Sequence, residues 1–230
     1  MTEVSAPPAG APRDGGRGAA VFDLDGTITR RDTLLLYLLD ALRAHPARAW
    51  RVWVVPGALV AFAFDRDHGR LKSRVIRAIL GGLSREAIAR LTGRFLDREW
   101  PHLVRPGALA ALARHREAGD YLVLLSASTE CYVPEIGARL GFDEVICTEL
   151  RWDGERLDGA LRSPNRRGPE KTRCIERLRD AHPGLPIAAY ADAASDLDHL
   201  RRVEHGVLVD GSRKTRREAR AAGLACVDWD

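Results

Sequence analysis

Two short apolar runs, residues 19–24 and 121–125, stand about ninety residues apart, where compact domains ordinarily connect neighbouring elements with a handful. Neither run has a helical period, and each reads as a strand buried on both faces. The interval between them must therefore be an insertion that folds as a unit. Apolar spacing within it predicts helices over 32–42, over 46–64 with an interruption at Pro56, over 71–80, and over 84–100 with Ser84 as the N-cap. The insertion is thus a helical bundle. A further helix, from Pro106, suited to a first turn, to Gly119, suited to a C-terminal cap, returns the chain to the second strand.

Beyond that strand the pattern predicts a helix over 133–140, a strand over 144–147 and a hairpin turning at Asp153 and Gly154. A helix over 169–179, a strand over 186–191 and a last strand over 207–209 follow, and the arginine-rich stretch 213–220 has the spacing of a solvated helix face. Strands alternating with helices imply an α/β protein whose parallel sheet is covered on both faces. Ligands of such sheets bind beyond the carboxyl ends of the strands. Asp23, Ser126 and Asp192 all fall there.

The first of those ends reads Val21-Phe22-Asp23-Leu24-Asp25-Gly26-Thr27, two carboxylates placed where a buried strand finishes. Lys171 opens the helix after the hairpin, and Asp192 and Asp196 flank the turn after the fourth strand. Each alone has an ordinary use as a cap, a turn residue or a surface charge. Their convergence on one edge of the sheet is what points to chemistry. Of the 36 basic residues only three, Lys72, Lys171 and Lys214, are lysines, so a lysine at this edge is a choice against arginine.

The combination of DLDGT at 23–27, Ser126 closing VLLS, Lys171 in GPEKT and the acids of YADAASD at 190–196 resembles the haloacid dehalogenase-like hydrolases. It is most similar to their phosphoserine phosphatase type, subfamily IB. The stretch 163–171 also resembles a subgroup related to phosphatidylglycerophosphate phosphatases. The resemblance implies a three-layer Rossmann-like parallel sheet core, residues 19–30 and 105–230, with a helical cap, residues 31–104, inserted between the first and second strands. Residues 1–18, rich in Pro, Gly and Ala, read as a disordered leader.

As activity, the resemblance implies magnesium-dependent hydrolysis of a phosphomonoester through an aspartyl-phosphate. Asp23 is then the nucleophile, and Asp25 the general acid and base, its pKa raised by crowding among acids and by burial. Mg2+ falls to Asp23, Asp192 and the Asp25 backbone carbonyl, with Asp196 one helical turn on as an orienting acid. Lys171 neutralises Asp23 and a phosphoryl oxygen. The Ser126 hydroxyl and the Ala127 N–H, at a helix start, bind the phosphoryl group, with Thr27 and Ser195 also on that side. Asp32 stands where phosphoserine phosphatases hold the substrate amine with a glutamate, and Arg74 and Arg77 are the candidates for its carboxylate. One departure is Ala191-Asp192-Ala193, where the family usually has glycine before the metal acid.

The 36 basic residues are dispersed among 32 acids, so the net charge of +4 does not call for a nucleic-acid partner. Four cysteines without paired spacing read as reduced, buried side chains of a cytoplasmic protein. Residues 52–64 carry no charge, too few for the roughly 20 of a spanning helix. With Trp50, Trp53, Arg48, Arg51 and Arg66 around it, this stretch either packs inside the cap or meets lipid at the inner membrane face. The expected substrate is a small-molecule or lipid phosphate. The alternatives are a phosphotransferase using the same aspartyl-phosphate and a binding protein that has lost catalysis at the alanine-flanked turn.

Overall fold

In the computed structural model, residues 18–229 are described; the predicted leader lies almost wholly outside them. Six strands among these residues form one parallel sheet: β1 (Ala19–Phe22), β2 (Tyr121–Thr129), β3 (Glu144–Thr148), β6 (Ile187–Ala191), β7 (His205–Val209) and β8 (Ala225–Val227). Their order is β3-β2-β1-β6-β7-β8. The chain leaves β1 toward opposite sides of the sheet, through β2 and later through β6, so the end of β1 is a topological switch point. All four residues of β1 are buried, as an uninterrupted apolar strand requires. β4 (Leu150–Asp153) and β5 (Arg156–Leu161) form the separate hairpin.

Between β1 and β2 the chain is helical: α1 (Thr33–Ala44), a 3-10 stretch (Pro46–Trp53), α2 (Val54–Asp65), α3 (His68–Leu80), α4 (Arg85–Leu103) and α5 (Pro106–Glu117). Ser84 caps α4 by accepting from the Ala87 N–H. Pro56 does not interrupt its helix. It sits in the first turn of α2, where a missing N–H costs nothing, and the break falls instead where the 3-10 stretch meets Val54. After β2 come α6 (Val133–Leu140), α7 (Pro169–Ala181), the short α8 (Leu197–Leu200) and α9 (Arg213–Ala221). The strand over 207–209 is not the last; the arginine-rich helix α9 leads into β8, too short and too exposed to show a strand pattern.

The buried interior is continuous from sheet to insertion. Tyr37 of α1 and Phe95 of α4 pack on Tyr132, and the Tyr37 hydroxyl meets Thr92, which donates to the Cys131 carbonyl. The other sheet face is covered by α7 through Cys174, Ile175 and Leu178. Residues 46–64 belong to neither buried cluster: the stretch packs on α3 through one side, with Ala58 buried, and leaves Trp50, Trp53, Val60 and Phe64 exposed rather than inside the cap.

Candidate active site

After Phe22 the chain must turn sharply to bring two acids to the end of the sheet. The Leu24 carbonyl accepts from the N–H groups of both Thr27 and Thr29, and Gly26 takes φ +80°. A Cβ built on Gly26 would run into the Asp192 carboxylate, so glycine is needed there for conformation and for space. Asp23 itself is fixed by its N–H donating to the Tyr190 carbonyl of the neighbouring strand.

The Asp23 Oδ1 lies 2.9 Å from the Lys171 Nζ, which also stands 3.2 Å from Asp196 Oδ1. Lys171 is 3% exposed and occupies the first turn of α7, where Gly168 in a left-handed conformation and Pro169 start the helix. Burial works against its charge, but the carboxylates of Asp23 and Asp196 override this and hold it above its ordinary value. Burial, and then Asp196 and Asp192, push the Asp23 carboxyl up to about 7 against the pull of Lys171. Asp192 is likewise raised to about 6 by burial and by Asp196.

One carboxylate oxygen from each of Asp23, Asp192 and Asp196 lies within 4.8 Å of the others. Three carboxylate oxygens gathered this closely fit a hard divalent cation such as Mg2+, which would bring the raised values of Asp23 and Asp192 back down. Asp196 reaches the group through a 3-10 turn, Ala194–Asp196, rather than the helical turn expected. Ala193 is extended, at φ −94°, and Ala191 has no positive φ, so both alanines sit without backbone strain.

The Asp25 side chain is not part of that trio. It accepts from the Thr33 N–H at 2.7 Å, the Thr33 hydroxyl at 2.6 Å and the Ser128 hydroxyl at 2.6 Å. Burial raises its pKa against these donors, with Asp32 the acid that adds to the rise. Burial is thus the main cause, and crowding a small one. Thr33, Ser128 and Tyr132, whose hydroxyl is 3.0 Å from that of Thr33, form a network that nothing in residue spacing announced.

Ser126 and Ala127 lie within β2, which runs on to Thr129; Ala127 is not at a helix start, and α6 begins only at Val133. The Ser126 oxygen accepts from the Ser128 N–H at 3.0 Å, which leaves its proton to donate. The Thr27 hydroxyl lies 3.5 Å from Asp192 Oδ1. Ser195 is half-buried in the turn beside Asp196. Asp32 is exposed and caps α1 by accepting from the Leu35 N–H. Arg77 is exposed and held by Asp158, and Arg74 is exposed. Arg166, in the loop before Lys171, is buried and pairs with Glu170 at 2.6 Å.

The helical insertion supplies a cation to this place, from Lys72 of α3. Its Nζ donates to the Ala127 carbonyl and to Asn165 Oδ1, both at 2.6 Å. Burial lowers its pKa to about 8, with Asp25 and Asp32 opposing. The same scarcity of lysine among arginines that marks Lys171 marks Lys72 in the sequence.

A model of the haloacid dehalogenase-like hydrolase family matches residues 20–201. The chain is 35% identical to the protein CicA of Caulobacter vibrioides, over 78% of this chain and 80% of that one. It is 26% identical to a Mycobacterium tuberculosis protein described as a probable phosphatase, over 97% and 78% of the two chains. The crystal structure of a phosphoserine phosphatase in its apo form superposes with a TM-score of 0.64 at 14% identity, over 92% and 94% of the chains, which shows a shared fold. With the acid pair at the switch point and the buried lysine opposite it already in place, the chain belongs to the haloacid dehalogenase-like hydrolases.

Proposed function

We propose that the protein is a magnesium-dependent phosphatase of phosphomonoesters, of subfamily IB, that works through an aspartyl-phosphate on Asp23. The observation that carries this reading is the buried Asp23–Lys171 pair, with Asp192 and Asp196 beside it and the hydrogen-bonded Asp25 two residues on. Residues 19–30 and 105–230 serve as the catalytic core and residues 31–104 as the cap that selects the substrate.

In the first step an Asp23 oxygen bonds to phosphorus as the ester P–O bond breaks, and Asp25 gives its proton to the leaving alkoxide. Burial raises the Asp25 pKa above its ordinary value, which favours the protonated form this step needs. In the second step Asp25 takes a proton from water as the water oxygen bonds to phosphorus, and the Asp23–phosphorus bond breaks to release phosphate. Lys171 offsets charge on Asp23 and on the phosphoryl group throughout. The Ser126 hydroxyl and the Ala127 N–H orient the phosphoryl oxygens. Asp23, Asp192 and the Asp25 carbonyl, with Asp196 behind them, would hold Mg2+, which when bound would neutralise charge as an anionic ester approaches an acid.

The name of the mycobacterial relative supports phosphatase activity. Lys72 faces the site from the cap and has neutral oxygens as hydrogen-bond partners, which suits a substrate with anionic character near its phosphoryl group. The exposed apolar side of the cap supports a lipid phosphate over a polar metabolite, with the protein in the cytoplasm at the inner membrane face. Phosphate release from an aryl phosphate and from lipid phosphomonoesters, with and without magnesium, tests the reading. Asp23→Asn is expected to lower the rate by at least about a thousandfold. Unchanged release in Asp23→Asn would overturn the mechanism; phosphoryl transfer to an added alcohol without phosphate release would make the protein a transferase.

A further inference from the structure

A helix apolar on all sides is ordinarily buried in a core or a bilayer. The run Pro46–Phe64, 19 residues with a mean hydropathy of 1.2, is neither. Trp50 is 67% exposed, Trp53 84%, Val60 60% and Phe64 86%, and Ala58 is the buried apolar residue of α2. Patches of this size on a soluble chain mark an interaction surface.

The charges around it select the partner. No acidic residue lies between Asp40 and Asp65, while Arg43, Arg48 and Arg51 fall in that interval and Arg66 caps α2. Exposed Arg94 of α4 adds to the same region: burial, and then Arg48, Arg94 and Arg90, hold His45 below its ordinary pKa. Arg48 is itself lowered by burial and by Arg51. Arg90 is paired with Glu86 and Arg66 stands between two aspartates, but among the described residues no acid pairs with Arg43, Arg48 or Arg51, and like charges so gathered favour an anionic surface. The Arg51 guanidinium lies 5.6 Å from the Trp50 ring centre, so cation and aromatic share one face, as at a headgroup boundary.

We propose that Pro46–Phe64 docks on the surface of an anionic lipid bilayer, with Trp50, Trp53 and Phe64 entering the acyl boundary and Arg43, Arg51 and Arg66 meeting headgroup phosphates, while Arg48 stays on the Ile79 and Gly81 carbonyls at 3.2 and 2.7 Å and adds only its charge. The uncharged stretch 52–64 is shorter than the roughly 20 residues that span a bilayer, so it lies along the surface. A second copy of the chain fits less well, because a two-fold contact would bring these arginines against their own equivalents. The 3-10 stretch and α2 pack on α3, which carries Lys72 to the active site. Docking therefore presents the site to lipid phosphates. This last consequence rests on the proposed phosphatase reading, whereas docking itself is measured without catalysis.

The test is flotation of the protein with vesicles of phosphatidylcholine alone or with about 30% phosphatidylglycerol, at about 0.05 M and about 0.5 M salt. Wild type and Asp23→Asn are expected to float alike, at least about tenfold better on the anionic vesicles, and to be released by salt. The double variant Trp53→Ser with Phe64→Ser should lose at least about tenfold in binding while keeping its circular dichroism and its rate on a soluble aryl phosphate. Arg43→Gln with Arg51→Gln should lose the preference for anionic vesicles. No flotation at low salt overturns the proposal, as does binding that only detergent reverses, which means insertion across the bilayer. So does a dimer in sedimentation velocity that Trp53→Ser with Phe64→Ser dissolves while vesicles bind nothing. Flotation of a wild type inactive on every phosphomonoester leaves docking standing and removes the phosphatase reading.

Discussion

Lys72 is a cation held at the site by carbonyl oxygens, with its pKa lowered to about 8 by burial against the pull of Asp25 and Asp32. A substrate anion beside it would gain a charge-assisted hydrogen bond of about 1.5–3 kcal/mol. Lys72→Met is expected to lower kcat/KM by about 10–100-fold, mainly through KM, with partial rescue by Lys72→Arg. The sign with pH follows from the lowered value. The free enzyme loses this charge as pH rises through about 8, so kcat/KM for an anionic ester falls above that pH in the wild type. Lys72→Met should lack this fall, and a kcat/KM pH profile of both proteins checks it. The fall belongs to binding rather than to stability, because the neutral amine keeps hydrogens to donate. At this scale the DLDGT acids and Lys171 were legible because motif and strand end coincide. Ser128, Thr33 and Lys72 were not, because each reaches the site from a different element and carries no local pattern.

The β1–α1 turn works because Gly26 is left-handed and leaves room for Asp192 from another strand. Gly26→Ala would carry about 1–2 kcal/mol of backbone strain and force the Asp192 carboxylate aside. We expect a lower melting temperature and weaker magnesium binding, the second by calorimetry; unchanged affinity would show that Asp192 tolerates displacement. Element types were mostly legible, since apolar strands and N-cap signals such as Ser84 are local. Boundaries failed where context decides: β2 runs past Ser126 because Thr129 still pairs with Thr148, and Ala127 is therefore strand, not helix start. β8 was missed because three residues beside β7 have no periodicity to show.

Across the whole molecule, three like charges share one end of the sheet, partly offset by Lys171. A bound divalent cation should add about 2.7 kcal/mol at a hundredfold excess over its Kd, roughly 5–10 °C in melting temperature for a chain of this size. Thermal melts with magnesium and with chelator check this, and Asp192→Asn should shrink the difference; no shift in the wild type would remove the metal assignment. The layered α/β plan was readable from alternating strands and helices, and the helical insertion from its length. The exposed face of Pro46–Phe64 was not, because a sequence shows that a helix is apolar and not whether anything covers it.

The cluster of Tyr37, Phe95 and Tyr132 has a bearing on what damage can do to such a protein. Tyr132 joins the helices of the insertion to the core, and its hydroxyl also supports Thr33, which holds Asp25. Proteolysis or heat that peels the insertion away therefore also loosens the acid–base carboxylate. On the proposed reading, a clipped molecule fails silent: it does not persist as an unselective phosphatase loose among the cell's phosphoesters.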